Sequence, residues 1–144
     1  MMRTKPAGGK VDVLSQVSLF EACSPRELQK IAGLVDEIQM PAGRVLASEG
    51  RPGRECFVIA EGEAVVTLDG EELARLGPGE FFGEMALIDQ GPRSATVTAE
   101  TPMRLFVLDP RSFSTLLAEH RTVARKILQG VVERLRTMED APSW

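Results

Sequence analysis

From Glu37 onward the chain is cut into short apolar runs by closely spaced turn residues, and this rhythm restricts the fold more than any other feature. The punctuation is Pro41-Ala42-Gly43, Glu49-Gly50-Arg51-Pro52-Gly53, Glu61-Gly62, Asp69-Gly70, Gly77-Pro78-Gly79 and Gly91-Pro92. Between these lie Val45–Ala47, Cys56–Ala60, Ala64–Leu68, Glu72–Leu76, Ala95–Ala99 and Met103–Leu108. Runs of this length at this spacing predict an all-β roll or barrel. Asp69-Gly70 reads as a two-residue hairpin loop, in which both positions take positive φ.

Helical patterns bracket the β region. Ser24-Pro25-Arg26-Glu27 carries a capping serine, a proline suited to the first helical position and a glutamate that completes a capping box. Leu28, Ile31, Ala32 and Val35 then recur at helical spacing, and a shorter apolar stretch, Val13 to Phe20, comes before them. After the strands, Asp109 caps and Pro110 opens a helix with Phe113, Leu116 and Leu117 facing inward. A last helix runs from about Arg121 to Met138 on Val123, Ile127, Val131, Leu135 and Met138, a length of roughly 27 Å. Residues 1–10 read as a flexible N-terminal tail, 11–139 as one domain and 140–144 as a C-terminal tail.

Composition excludes several classes. The 144 residues suit one domain, and the absence of any apolar run of about eighteen residues argues against a membrane span. The N-terminus lacks the apolar stretch of a secretory signal. Cys23 and Cys56 lie far apart and form no C-x-x-C pair, so both read as small hydrophobes in a reduced, cytoplasmic protein. A net charge of −4 argues against DNA as the main partner. One histidine and no cysteine cluster leave no set of metal ligands, and neither G-x-S-x-G nor a P-loop is present. No catalytic residue, metal or cofactor is expected.

One stretch interrupts the β rhythm: Phe81-Phe82-Gly83-Glu84-Met85-Ala86-Leu87-Ile88, then Asp89-Gln90-Gly91, then Pro92-Arg93-Ser94-Ala95-Thr96-Val97. Glu84 to Ile88 has the composition of one helical turn, and Gly83 lets the backbone bend and a ligand approach closely. The first amides of such a turn point outward as donors, and with the helix dipole they favour an anion. Arg93 adds a fixed charge whose planar fork suits phosphate oxygens. Glu84 is out of place beside an anion unless it accepts from a hydroxyl, such as a ribose 2′-OH. A ligand with one phosphate and a nearby sugar hydroxyl satisfies both groups.

These residues resemble the phosphate-binding cassette of the cyclic-nucleotide-binding domain family, which includes protein kinase A regulatory subunits and catabolite-activator-type regulators. The family pattern F-G-E-x-A-L followed by P-R-[AST]-A is similar to Phe82-Gly83-Glu84-Met85-Ala86-Leu87 and Pro92-Arg93-Ser94-Ala95. The glycine framework upstream is similar too, at Pro41-Ala42-Gly43, Glu49-Gly50, Phe57–Gly62 and Gly77–Glu84, and the likeness runs from about Leu14 to Met138. The resemblance implies a mainly β fold: an eight-stranded antiparallel, jelly-roll-like β-roll with N-terminal helices, a short phosphate-binding helix and C-terminal helices.

It also implies roles. Glu84 would accept from the ribose 2′-OH. The backbone of Gly83, Glu84 and Ala86 would donate to ribose or phosphate oxygens, as would Ser94 and Ala95. Arg93 would neutralise the cyclic phosphate. Val66 and Leu73 would pack against the purine, and Met85 would face it from the cassette. The ligand is expected to be cAMP, with cGMP as the alternative through Ser94. The last helix would serve as lid, as coupling element to a protein effector, or as the seam of a homodimer. Two other readings stand beside the sensor: a partner-binding or dimerisation domain that no longer needs ligand, and the sensor part of a larger regulator whose DNA-binding domain would follow Trp144.

Overall fold

The computed structural model describes residues 9–87 and 91–137. Among them, eight strands form two four-stranded antiparallel sheets. The strands are β1 (Asp36–Met40), β2 (Val45–Ala47), β3 (Cys56–Glu61), β4 (Ala64–Leu68), β5 (Glu71–Leu76), β6 (Phe81–Phe82), β7 (Thr96–Ala99) and β8 (Met103–Leu108). One sheet has the order β1-β8-β3-β6 and the other β2-β7-β4-β5. Neighbours in the sheets are mostly distant in sequence, the jelly-roll-like connectivity expected. Four helices flank the roll: α1 (Lys10–Leu14), α2 (Pro25–Ala32), α3 (Pro110–Glu119) and α4 (Arg121–Thr137), with a 3₁₀ turn at Ser18–Phe20.

Local chemistry sets most of these boundaries. The capping box forms as its residues predict: the Glu27 amide donates to Ser24 Oγ at 3.2 Å, and the Ser24 amide donates to Glu27 Oε1 at 2.8 Å. Asp109 accepts from the Ser112 amide at 2.7 Å to start α3, with Pro110 at its first position. Asp69 and Gly70 take φ of 51° and 83° and close the β4–β5 hairpin.

Three expectations shift. β1 and β6 are absent from the apolar runs, because β1 carries Asp36, Glu37 and Gln39 and β6 has only two residues. The strand expected from Ala95 starts at Thr96. Lys10 does not belong to a free tail: it opens α1, and its ammonium donates to the carbonyls of Val35 at 3.0 Å and Ala32 at 3.3 Å. Met138 and residues 1–8 and 139–144 lie outside the described residues, as do Ile88, Asp89 and Gln90.

Two cores meet along one sheet, in which β3, β8 and β6 each place side chains in both. β3 is buried on both faces, so it reads as a continuous apolar run rather than an alternating one. Cys56, Val58 and Ala60 face a helical cluster with Leu14, Phe20, Ile31, Phe106, Leu116 and Ile127. Phe57 and Ile59 face the space between the sheets with Val66, Phe82, Val97 and Leu105. At the sheet's far side Arg104 is only 9% exposed, and it bonds Glu37 at 2.8 Å and Glu61 at 3.3 Å, tying β1, β8 and β3 together.

α4 lies on its own domain. Val123, Ala124, Ile127 and Val131 are buried in the helical cluster. Gly130 meets the Ser18–Phe20 turn so closely that a Cβ there would overlap the Leu19 carbonyl oxygen and touch its carbon at 3.0 Å. Lys126 reaches α2 and bonds Glu27 Oε1 at 2.7 Å. That bond, with the Ser24 amide, holds the Glu27 carboxyl below its ordinary value.

Two predictions follow from the docking of α4. Gly130→Ala would ordinarily stabilise a helix interior by about 1 kcal/mol; here overpacking against backbone reverses the sign, and urea denaturation is expected to show a loss of about 1–3 kcal/mol. Glu27 binds its proton less readily folded than unfolded, so its contribution is complete above its ordinary pKa of 4.5 and fades as pH falls through the lower folded value. Stability measured across that acid range should therefore fall more steeply in the parent than in Glu27→Gln.

Candidate functional site

The site begins where β6 ends. Phe82 pairs with Phe57 of β3, and their rings stack with centroids 4.9 Å apart. This fixes the point at which the chain leaves the sheet. Gly83 then takes φ of 78°, a left-handed conformation that favours glycine. The reversal delivers a 3₁₀ turn, Glu84–Leu87, onto β3 and α3. Glu84 is fully buried at 0% exposure, an uncommon place for a carboxylate. The Ala86 amide, which sequence leads one to expect outward, donates to the Gly83 carbonyl at 3.0 Å and closes the turn.

Arg93 arrives from the other side on a loop held at several points. Its amide donates to the Arg51 carbonyl at 2.8 Å and its carbonyl accepts from the Gly50 amide at 2.9 Å. The Gly53 amide donates to the Gly91 carbonyl at 3.2 Å, so the stretch 50–53 runs bonded along 91–93. The half-buried guanidinium donates through Nη2 to the Glu55 carbonyl at 2.9 Å. Burial lowers the Arg93 pKa, while the charges of Glu55, Cys56 and Glu84 act in the opposite sense. The side chain stays cationic, since arginine does not deprotonate in proteins. Beside it lies a cleft of about 250 Å³, walled by Val45–Ser48 of β2 and its exit, by Arg51 and Pro52, and by Glu55.

The structure brings Gly83, Glu84 and Arg93 together: a Cβ on Gly83 would overlap Arg93 Nη1, and Glu84 acts electrostatically on the guanidinium. Ser94 is exposed and Ala95 buried immediately after. Val66 is buried between the sheets in the same cluster as Ala95 and Phe82. Leu73 sits beside a register shift in the β4–β5 ladder and is 43% exposed. Met85 does not share Val66's side of the sheet; it packs against the helical cluster. Val131 is buried there too, whereas the side chain of Leu135 lies outside what is described.

Sequence reasoning passed over Glu49, Gly53 and Glu55. Glu49 accepts from the Thr96 hydroxyl at 2.9 Å and from the Asp69 amide at 3.0 Å, joining the β2–β3 loop, β7 and the hairpin tip. The run Glu49–Gly53 reads as a turn, and its backbone role toward Arg93 has no side-chain signature. Among the described residues no group of three or more His, Cys, Asp or Glu could hold a metal ion, and no helix is long and apolar enough to cross a membrane.

An antiparallel roll thus sets a half-buried cation beside a fully buried carboxylate, on loops joined by backbone bonds. The family model for the cyclic nucleotide-binding domain matches residues 37–120. The chain is 35% identical over 115 residues to the cAMP-dependent protein kinase regulatory subunit of Emericella nidulans, covering 78% of this chain and 28% of that protein. Its fold matches the N-terminal domain of a transcriptional regulator from Streptomyces coelicolor with a TM-score of 0.78 at 36% identity, covering 92% and 95% of the two chains. It also matches the regulatory domain of Toxoplasma gondii PKA crystallised with cAMP, with a TM-score of 0.66 at 31% identity over 74% of this chain and 42% of that one. This chain belongs to the cyclic nucleotide-binding domain family. It spans 28–34% of the length of the first curated relatives it matches.

Proposed function

We propose that this domain, spanning the described helices and strands, is a sensor that binds cAMP in preference to cGMP and transmits occupancy to its C-terminal helix. The observation that carries the reading is the placement of Arg93 and Glu84 side by side, one half-buried and one wholly buried, at the ends of two immobilised loops. A cyclic phosphate would complete the charge of Arg93. The ribose 2′-OH would donate to Glu84, and the amides of Gly83, Glu84, Ser94 and Ala95 would serve the remaining ligand oxygens. Val66 and Leu73 would take the purine; a large apolar side chain left 43% exposed, as Leu73 is, suits a surface that a ligand covers.

Met85, expected to face the purine from the cassette, would also pass the signal onward. It packs against the helical cluster that also holds Val123, Ile127 and Val131. Movement of the cassette turn on binding would therefore press on the bed of α4. Such a shift requires the ligand to favour one arrangement over the other. The chemistry of this reading is binding, as the description of the matching family as a cyclic nucleotide-binding domain implies.

Two measurements test this. Calorimetric titration with cAMP, cGMP and 5′-AMP should show saturable binding in that order of affinity, with 5′-AMP much the weakest; a folded, nucleotide-free protein that binds none of them would leave a partner-binding domain in its place. Arg93→Ala is expected to cost about 3–5 kcal/mol by leaving a buried phosphate unpaired, roughly two to three decades or more in affinity. Glu84→Gln should cost less, about 1.5–3 kcal/mol, as for a hydrogen bond to a charged group. Near-parental affinity in Arg93→Ala would overturn the site.

A further inference from the structure

We infer that Gly53 is a positioning residue for the ligand phosphate: its bare Cα is one wall of a slot that holds the Arg93 side chain at the site, and Gly83 is the other wall. The inference rests on the reading of Arg93 as the phosphate ligand and extends it to a residue outside the cassette. A Cβ built on Gly53 would overlap Arg93 Cδ, Nε and Cζ. One built on Gly83 would overlap Arg93 Nη1 and come within 2.6 Å of the Glu55 carbonyl oxygen. The guanidinium thus lies between two glycines and donates to Glu55 at the back of the slot.

The two glycines are required for different reasons. Gly83 has φ of 78°, so its backbone alone favours glycine. Gly53 is not among the residues with positive φ, so no left-handed backbone reserves the position for glycine. What excludes a side chain is space. Gly53 is buried, and its amide is bonded to the Gly91 carbonyl at 3.2 Å, so the loop is not free to back away. The atoms a Cβ would strike lie in the middle of the arginine, where a small rotation of the tip gives no relief. With a methyl group at position 53, Arg93 must leave the slot.

The consequence is specific to the phosphate. A guanidinium displaced from the slot loses the Glu55 carbonyl that orients its plane, and with it the fixed fork that matches phosphate oxygens. Binding would then require Arg93 to be ordered again by the ligand.

The test is a double-mutant cycle of Gly53→Ala and Arg93→Ala, read in two ways. Without nucleotide, thermal unfolding should show Gly53→Ala lowering the midpoint in the Arg93 background but not in the Arg93→Ala background, where the slot is empty. In cAMP titrations, Gly53→Ala should weaken binding at least tenfold, and adding it to Arg93→Ala should change affinity less than twofold. Equal losses in both backgrounds would overturn the inference, because Gly53 would then act on the loop and not through Arg93. Parental affinity in Gly53→Ala would overturn it as well. If the parent binds no cyclic nucleotide, the proposed function fails, and the role of Gly53 toward a phosphate fails with it. If Gly53→Ala alone does not fold while the double variant does, the steric coupling stands demonstrated.

Discussion

The burial of β3 on both faces is the constraint on which the rest of the molecule depends. A shift of β3 would disturb two cores at once, because Cys56, Val58 and Ala60 are packed among helices while Phe57 and Ile59 are packed between sheets. β6 pairs only with this strand, at Phe57 and Val58. The cassette therefore leaves from β6, whose position is set by its pairing with the doubly buried β3. The Glu55 carbonyl that orients Arg93 lies one residue before β3, so both halves of the site take their position from the same element.

The second half of the site is built from backbone rather than side chains. The loop after β2 and the segment before β7 exchange amide hydrogen bonds at Gly50, Arg51, Gly53 and Arg93. Each such bond contributes about 1 kcal/mol net. Their larger effect is geometric, since they fix where a long, rotamer-rich arginine starts. Glu49 extends the same framework to the tip of the β4–β5 hairpin and to Thr96. A charged side chain can then be held half-buried without the entropy cost of ordering it at the moment a ligand arrives.

Sequence carried the parts of this design that local chemistry dictates. Ser24 with Glu27, Asp109 with Pro110, and Asp69 with Gly70 each announce a cap or a turn through their own side chains or φ requirements, and each forms as read. That Gly83, Glu84 and Arg93 belong together could be read from residue types that break the β rhythm, and the structure brings the three side by side. β1 was not legible, because it presents Asp36, Glu37 and Gln39 and little apolar pattern. The side of the sheet that Met85 joins was not legible either, since one residue's rotation in a 3₁₀ turn decides it. Gly53 was hidden for a different reason: glycine in a loop signals a turn, and nothing local reveals that an arginine forty residues later occupies the space where its side chain would be.

The alternation along β3 also divides labour within the protein. Its odd-numbered side chains look into the chamber shared with Val66, Phe82 and Ala95, and its even-numbered ones look toward α3 and α4. The two sets belong to different clusters on opposite faces of the strand. β8, with Leu105 on one side and Phe106 and Leu108 on the other, and β6, with Phe82 and Phe81, divide the clusters in the same way, so a displacement of these strands or of the cassette turn beside them reaches both. β3 is a partition wall, and the short turn after Phe82 is the doorway cut beside it.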